Sequence, residues 1–216
     1  MTSPLRVERP QLLTDLAMDR IRSAIVVGEL KLGEQMSEAQ LALRMGISKT
    51  PVREALLRLK VDGLVDIHPQ RGTFVFKLDH DQVGQLCRFR AMIEVAALRE
   101  AATSQREMLL HEMALRLEQM AQAEHDGDVS RLSIVDMDFH RQFVVCCTNG
   151  YLRSAYDLIR YQLLALRHRS PVENCIDSHQ VLYDAVAAKK IERACTLLQQ
   201  HVDNTEEPYC KACEVD

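Results

Sequence analysis

The sequence predicts a mainly α protein: an N-terminal winged helix-turn-helix followed by an all-α antiparallel helical bundle. Three observations predict it. The stretch from Ser37 to Gly72 reads "SEAQLALRMGISKTPVREALLRLKVDGLVDIHPQRG". A short helix, a tight turn, a second helix and a basic hairpin follow there without slack, the layout that places one helix in the DNA major groove. After Leu78 the apolar residues recur at helical spacing, and six Pro and eight Gly in 216 residues leave room for long helices. Charge divides the chain the same way. Residues 1–78 carry 12 Lys/Arg against 9 Asp/Glu, and residues 79–216 carry 15 against 22. The net −4 of the whole chain argues against nucleic acid, but the basic front half reverses that impression.

The elements of the front half follow in order. Leu12, Leu13, Leu16, Ala17, Ile21, Ala24 and Ile25 predict a helix over Leu12–Val27, stopped by Gly28. Ser37 opens the second helix, with Gln40 placed to complete a capping box, and Gly46 ends it. Ser48 is expected to cap the third helix, and Pro51 falls in its first turn, where a missing N–H costs little. Gly63 stops that helix near Asp62. Of its apolar residues, Leu56, Leu57, Leu59 and Val61, most are expected to pack on the first helix. "LVDIHPQRGTFVFKL" then predicts two short strands around Pro69–Gly72, the wing.

Six helices are expected in residues 79–216: Asp79–Thr103, Ser104–His125, Val129–Thr148, Tyr151–Arg169, Val172–Ala188 and Ile191–Thr205. Ser104 with Glu107 reads as a capping box, Asp126–Gly127 and Asn149–Gly150 as helix stops, and Ser170–Pro171 as a break. The boundary between domains 1–78 and 79–216 lies near Lys77–Asp81, almost without linker.

Composition bounds the function classes. Apolar residues make up 47% of the chain and aromatics 5%, so the core is mainly aliphatic. Seven Cys at spacings that suggest no disulfide framework, a polar Met1–Pro10 and no long apolar run predict a cytoplasmic protein with reduced thiols and no membrane segment. "CKAC", with Cys210 and Cys213, has the spacing of half a zinc site but lacks a second pair, and reads as a mobile tail.

Lys49, Thr50 and Arg53 lie on the first turns of the third helix, the end that enters the groove in this motif. Arg suits guanine bidentately; Ser48, Lys49 and Thr50 suit phosphate or base edges. Arg44 can reach a phosphate. His68, Gln70 and Arg71 sit on the wing, and Gly72 permits close approach. Arg58 and Lys60 read as an ordinary solvated face. In the second half, Asp136 and His140 are four apart and share a helix face, with His179 and His201 on the fifth and sixth helices. One carboxylate and three imidazoles aimed at one interior point would suit Zn²⁺, Ni²⁺ or a similar divalent ion, and in an octahedral site two open positions could take a small carboxylate. Separated residues need not converge, and a satisfied buried or surface histidine is the alternative for each. Asp138 rivals Asp136 but points elsewhere on the helix. His111, His125 and His168 read as surface residues.

The run "GELKLGEQMSEAQLA", then "MGISKTPVREALLRL", "DGLV" and "PQRGTFV" resembles the N-terminal domain of GntR-family transcription regulators, most diagnostically in "SKTPVREAL". The helical half resembles the FadR-like branch with its FCD domain, and six helices rather than seven resemble the shorter VanR-like arrangement. This resemblance implies a homodimer on a pseudo-palindromic operator. Ala39 departs from it, because some relatives place a DNA-contacting arginine there. "DMDFHRQF", "DSHQVLYDAV" and "ACTLLQQH" are similar to the elements that carry the ligands in metal-containing FCD domains, which implies Asp136, His140, His179 and His201 as ligands. "RAMIE" also resembles the family, and Arg90 is a candidate to neutralise an effector carboxylate; a surface pair with Glu94 is the alternative. Arg160 and Arg167 are weaker candidates of the same kind. Tyr156 and Tyr161 either line the pocket or simply pack.

These features point to a metabolite-responsive regulator, a repressor, in which a small organic acid and a divalent metal, zinc or nickel, change the grip on operator DNA. The alternatives are a metal-dependent enzyme or a pure metal sensor built on the same Asp/His site. No cofactor fingerprint such as G-x-G-x-x-G and no further general-base motif supports the enzyme.

Overall fold

The computed structural model of the chain describes residues 12–170 and 175–214. Helix α1 (Leu13–Val26) buries Ala17, Ile21, Ala24 and Ile25 and is left through Gly28 at φ +82°. Strand β1 (Gln35–Met36) leads into α2 (Glu38–Met45), whose cap Ser37 accepts from the Gln40 amide and whose end is Gly46 in the left-handed region. Helix α3 (Lys49–Val61) packs across α1. Strands β2 (Val65–His68) and β3 (Gly72–Val75) form the wing. The sheet order is β1-β3-β2, all antiparallel, with His68 opposite Gly72 at the turn. Gln70 (φ +63°) and Gly72 (φ +114°) turn the tip.

The second half is helical throughout its described residues: α4 (His80–Ser104), α5 (Arg106–His125), α6 (Val129–Val145), α7 (Gly150–Asp157), α8 (Arg160–Arg169), α9 (Cys175–Ala187), α10 (Ile191–Asp203) and α11 (Glu206–Glu214). α4 lies against α10 and α6, and α5 against α6 and α9. Phe139, Phe143, Leu98, Leu109, Leu163 and Leu198 fill the centre.

Several expectations need correction. The helix expected over Tyr151–Arg169 is two, α7 and α8, parted at Ile159 (φ −111°, ψ −13°). No Gly or Pro marks that bend; it lets Tyr156, Ile159 and Leu163 all turn inward. The expected mobile tail is helix α11, because Tyr209, Cys210, Ala212 and Cys213 form one buried face at helical spacing. The bundle thus has eight helical segments among its described residues rather than six, so helix count does not support the shorter arrangement. Helix α6 ends at Val145, and Asn149 opens α7 by accepting from the Tyr151 amide instead of stopping α6. Ser48 has cap geometry but no side-chain cap bond. Ser104 donates back to the Glu100 carbonyl, so no capping box forms there. Asp79 and Gln82 do form one, at the start of α4. The expected start at Val172 and the break at Pro171 lie outside the described residues.

The two halves meet along α8. Arg169, at its C-terminal end, donates to the carbonyls of Ile25 (2.7 Å) and Val26 (3.2 Å) in the last turn of α1 and of Leu30 (3.2 Å) in the loop that follows. Gln162 donates to the Gly63 carbonyl at 2.8 Å. The Arg22 guanidinium of α1 lies 4.4 Å from the Tyr161 ring centroid.

Helix α3 also shows which expected packing fails. Leu56 and Leu59 are buried, but Leu57 is 52% and Val61 75% exposed. Leu56→Ala is expected to cost about 2–5 kcal/mol and Leu57→Ala under about 0.5 kcal/mol. Urea unfolding of the two variants checks this contrast.

Candidate functional site

Helix α6 carries Asp136 and His140 one turn apart on its buried face, α9 brings His179 and α10 brings His201. The three imidazoles converge. Nε2 of His140 stands 3.1 Å from Nε2 of His179 and 3.2 Å from Nε2 of His201. Two ligands held at about 2.1 Å from one ion are about 3.0–3.4 Å apart, depending on geometry. The spacing therefore fits a shared cation, and three nitrogen donors suit zinc or nickel. His140 and His179 are fully buried and His201 partly so. Asp136 Oδ1 lies 3.4 Å from His179 Nε2. It adjoins the triad from one side without belonging to the mutually close set.

A shell of charge holds these groups. Glu94 on α4 takes the Nδ1 side of His140 at 2.8 Å. A carboxylate only accepts, so Nδ1 carries the proton and Nε2 is the ring nitrogen turned to the cluster. Glu94 also accepts from Arg90 Nε at 2.8 Å. Arg90 and Glu94 are therefore a buried pair, not the surface pair weighed from the sequence. Arg90 Nη1 donates to the Tyr209 hydroxyl at 3.2 Å. Arg90 Nη2 and the Tyr156 hydroxyl, both buried, have no hydrogen-bond partner among the described residues. Arg167 on α8 grips Asp136 through Nε (2.8 Å) and Nη2 (3.2 Å).

The titration behaviour follows. Burial pushes the Asp136 and Glu94 carboxyls up, but Arg167 and the imidazoles for the first, and Arg90 and His140 for the second, hold both below the usual range. Burial, then the two neighbouring rings, presses His201 well below the ordinary imidazole value. Burial raises the Tyr156 hydroxyl well above the phenolic range.

Other predicted residues stand elsewhere. Arg160 is not brought to the histidines: it pairs with Asp157 and stacks on Tyr161, near the seam between the halves. Asp138 is engaged by Arg116. His168 is half-buried rather than on the surface, while His111 and His125 are exposed. Cys87, Cys146, Cys147, Cys195, Cys210 and Cys213 are free and buried. In the head, Arg44, Ser48, Lys49, Thr50 and Arg53 are exposed along α2 and α3, as are His68, Gln70, Arg71 and Gly72 on the wing. Sequence reasoning named Glu94 only as a surface partner of Arg90, since nothing in the spacing marks its burial, and missed Glu38. The latter is bound to Arg53 by three hydrogen bonds of 2.8–3.1 Å.

Residues 13–75 match the bacterial regulatory proteins of the gntR family, and residues 85–204 match the FCD domain. The chain is a GntR-family regulator with an FCD domain. Among relatives of this GntR-family chain is the HTH-type transcriptional repressor RspR of Escherichia coli K12. It is 30% identical over 197 residues, 87% of this chain and 84% of RspR. The HTH-type transcriptional regulator LutR of Bacillus subtilis is 26% identical over 83% of this chain and 93% of its own. The fold is shared with E. coli McbR/YncC, at TM-score 0.73 and 23% identity over 94% of this chain and 99% of that one. It is also shared with a Rhodococcus sp. RHA1 protein, at TM-score 0.77 and 22% identity over 92% and 98%. This GntR-family chain is thus a DNA-binding transcriptional regulator, and none of its described helices is long and apolar enough to cross a membrane.

The pH dependence has a definite sign. His201 is lowered in the folded state from about 6.5, so below that pH the unfolded chain binds more protons and gains on the native state. Chelator-treated protein is expected to keep full stability above about pH 7 and to lose it as pH falls through 6. Urea midpoints measured between pH 7.5 and 5.5 check it, and His201→Gln is expected to flatten the decline.

Proposed function

We propose that this chain is a metabolite-responsive repressor. Its helical domain, residues 79–216, binds a divalent metal and a small carboxylate, and its head, residues 1–78, grips operator DNA within a homodimer. The observation that carries the reading is the convergence of three imidazole nitrogens inside the bundle. His140, His179 and His201 would hold the ion, with Asp136 beside them. Bound there, zinc or nickel supplies a Lewis-acidic point on which a carboxylate oxygen can seat. Arg90 Nη2 and the Tyr156 hydroxyl offer buried donors for a second acceptor of the same ligand. That pair favours an organic anion over the ion alone as the signal.

In the head, Lys49, Thr50 and Arg53 would enter the major groove with Ser48 on the backbone. Arg44 would contact phosphate, and His68, Gln70, Arg71 and Gly72 would approach the duplex from the wing. Helix α8 is where the two jobs meet. Arg167 holds Asp136, and two residues on Arg169 holds the end of α1. A carboxylate arriving beside Asp136 gives Arg167 a second anion to answer. Any displacement of α8 is then delivered to α1 through Arg169 and to the turn before the wing through Gln162.

Calorimetry of chelator-treated protein with nickel is expected to find one site per chain. His140→Ala, His179→Ala and His201→Ala should each weaken it by more than the about 10–100-fold that loss of an outer partner costs. Anisotropy with DNA from the chain's own promoter is expected to show sequence-preferring binding at moderate salt that a carboxylate shifts only in the metal-loaded protein. Loss of sequence preference, or a shift indifferent to the metal, defeats the reading.

The transmission has its own check. Arg169→Met is expected to leave nickel binding unchanged while the carboxylate-induced change in operator affinity shrinks. A coupling in the usual range of about 5–150-fold would fall towards unity. Paired calorimetry and anisotropy on the one variant measure both.

A further inference from the structure

Arg53 does not stand alone on the exposed face of α3. Its Nε donates to both Glu38 oxygens, at 3.0 and 3.1 Å, and its Nη2 to Oε2 at 2.8 Å. Glu38 thus occupies the Nε–Nη2 edge of the guanidinium. A guanidinium has five N–H groups in a rigid plane. With that edge taken, the Nη1–Nη2 end of the fork remains, and that end is the one with two parallel N–H groups pointing straight ahead. Arg53 is largely exposed, with a side-chain accessibility of 65% against 29% for Glu38. The carboxylate is braced from behind as well. Glu38 is the first residue of α2, where an anion is favoured by the helix N-terminus. Lys49 and Arg53 hold its pKa down, the Arg53 hydrogen bond first.

We propose that Glu38 is a specificity-determining positioning residue for DNA readout: it locks the Arg53 guanidinium end-on, so that Arg53 reads one guanine per half-site. This rests on the reading of Arg53 as a base-contacting residue. Two consequences follow from the chemistry. A free Arg53 swings on four bonds and satisfies itself on any nearby phosphate; a locked one meets the O6 and N7 acceptors of guanine or nothing. The Glu38 charge also repels phosphate from the start of α3, which lowers affinity for every sequence alike. Glu38 therefore acts oppositely on specific and non-specific binding. An ordinary solvated ion pair that matters only for folding has no such signature, and exposed pairs contribute little to folding in any case.

The test is selection of binding sites from random duplexes by the full-length protein and by Glu38→Ala, Glu38→Gln and Arg53→Ala, followed by anisotropy on the winning site and on a scrambled duplex. Arg53→Ala should erase the preference for guanine at one position of each half-site. Glu38→Ala should weaken that same preference, cutting a discrimination of about 5–150-fold for a bidentate contact by at least about threefold, while scrambled-duplex affinity rises. Glu38→Gln, which keeps one acceptor oxygen, should fall between wild type and alanine. With Arg53→Ala already present, Glu38→Ala should change no base preference. If Arg53→Ala alters a position that Glu38→Ala leaves untouched, the positioning role is refuted and the Arg53 reading stands. If Arg53→Ala alters no position, both fail. Unchanged thermal melting of each variant ties the result to readout rather than to folding.

Discussion

Two carboxylates and two arginines are sunk in the helical half, and each depends on the others to be there. Glu94 answers Arg90 and His140; Asp136 answers Arg167 and His179. An isolated ion in such a place would cost several kcal/mol, and removing one member of a pair leaves its partner uncompensated. The network therefore fixes register. Arg90 and Glu94 come from α4, Asp136 and His140 from α6, Arg167 from α8, and Tyr209 from α11. Aliphatic packing alone tolerates a helix sliding by part of a turn; a bidentate grip at 2.8 and 3.2 Å does not. The same contacts that align the helices also decide the tautomer of His140 and the charge of Asp136. Scaffold and imidazole cluster are in this sense one object.

That arrangement explains why α8 is short and where it sits. A single helix over residues 150–169 would carry its side chains round a continuous spiral. The bend at Ile159 separates a segment that seats Tyr156 in the core from one with buried residues at Leu163, Ala165 and Leu166. Its last turn then offers Arg167 inward and Arg169 towards α1. Across the seam with the head run polar contacts, side chain to backbone carbonyl, together with an arginine over a ring. Directional contacts of this kind have a preferred geometry to lose when either half shifts.

How much of this could be read beforehand depends on whether the deciding force was local. The head was legible because its signals are local: Ser37 and Gly46 at the ends of α2, Pro51 in the first turn of α3, a β-hairpin turning at Gly72. Asp136 and His140 were legible by their spacing and His179 and His201 by resemblance, and the structure brings the three rings together. Three things were not legible. An Arg and a Glu four apart look the same on a surface as in a core, so the burial of Arg90 and Glu94 had no sequence signal. The bend at Ile159 has no Gly or Pro because tertiary packing imposes it. The pairing of Glu38 with Arg53 spans a turn between two helices, and periodicity within either one cannot reveal it.

The orphaned donors bear on what kind of partner the interior of the bundle could accept. Arg90 commits Nε to Glu94 and Nη1 to Tyr209, and Nη2 is left over. A guanidinium has no acceptor, so only an acceptor can complete it. A metal ion is the opposite kind of partner: it takes lone pairs and repels the charge on Arg90. The imidazole cluster and the buried arginine thus ask for different things within one interior, a cation at the first and an anion at the second. Under the function proposed above, a ligand with a carboxylate would answer both, its oxygens seating on the ion and accepting from the arginine.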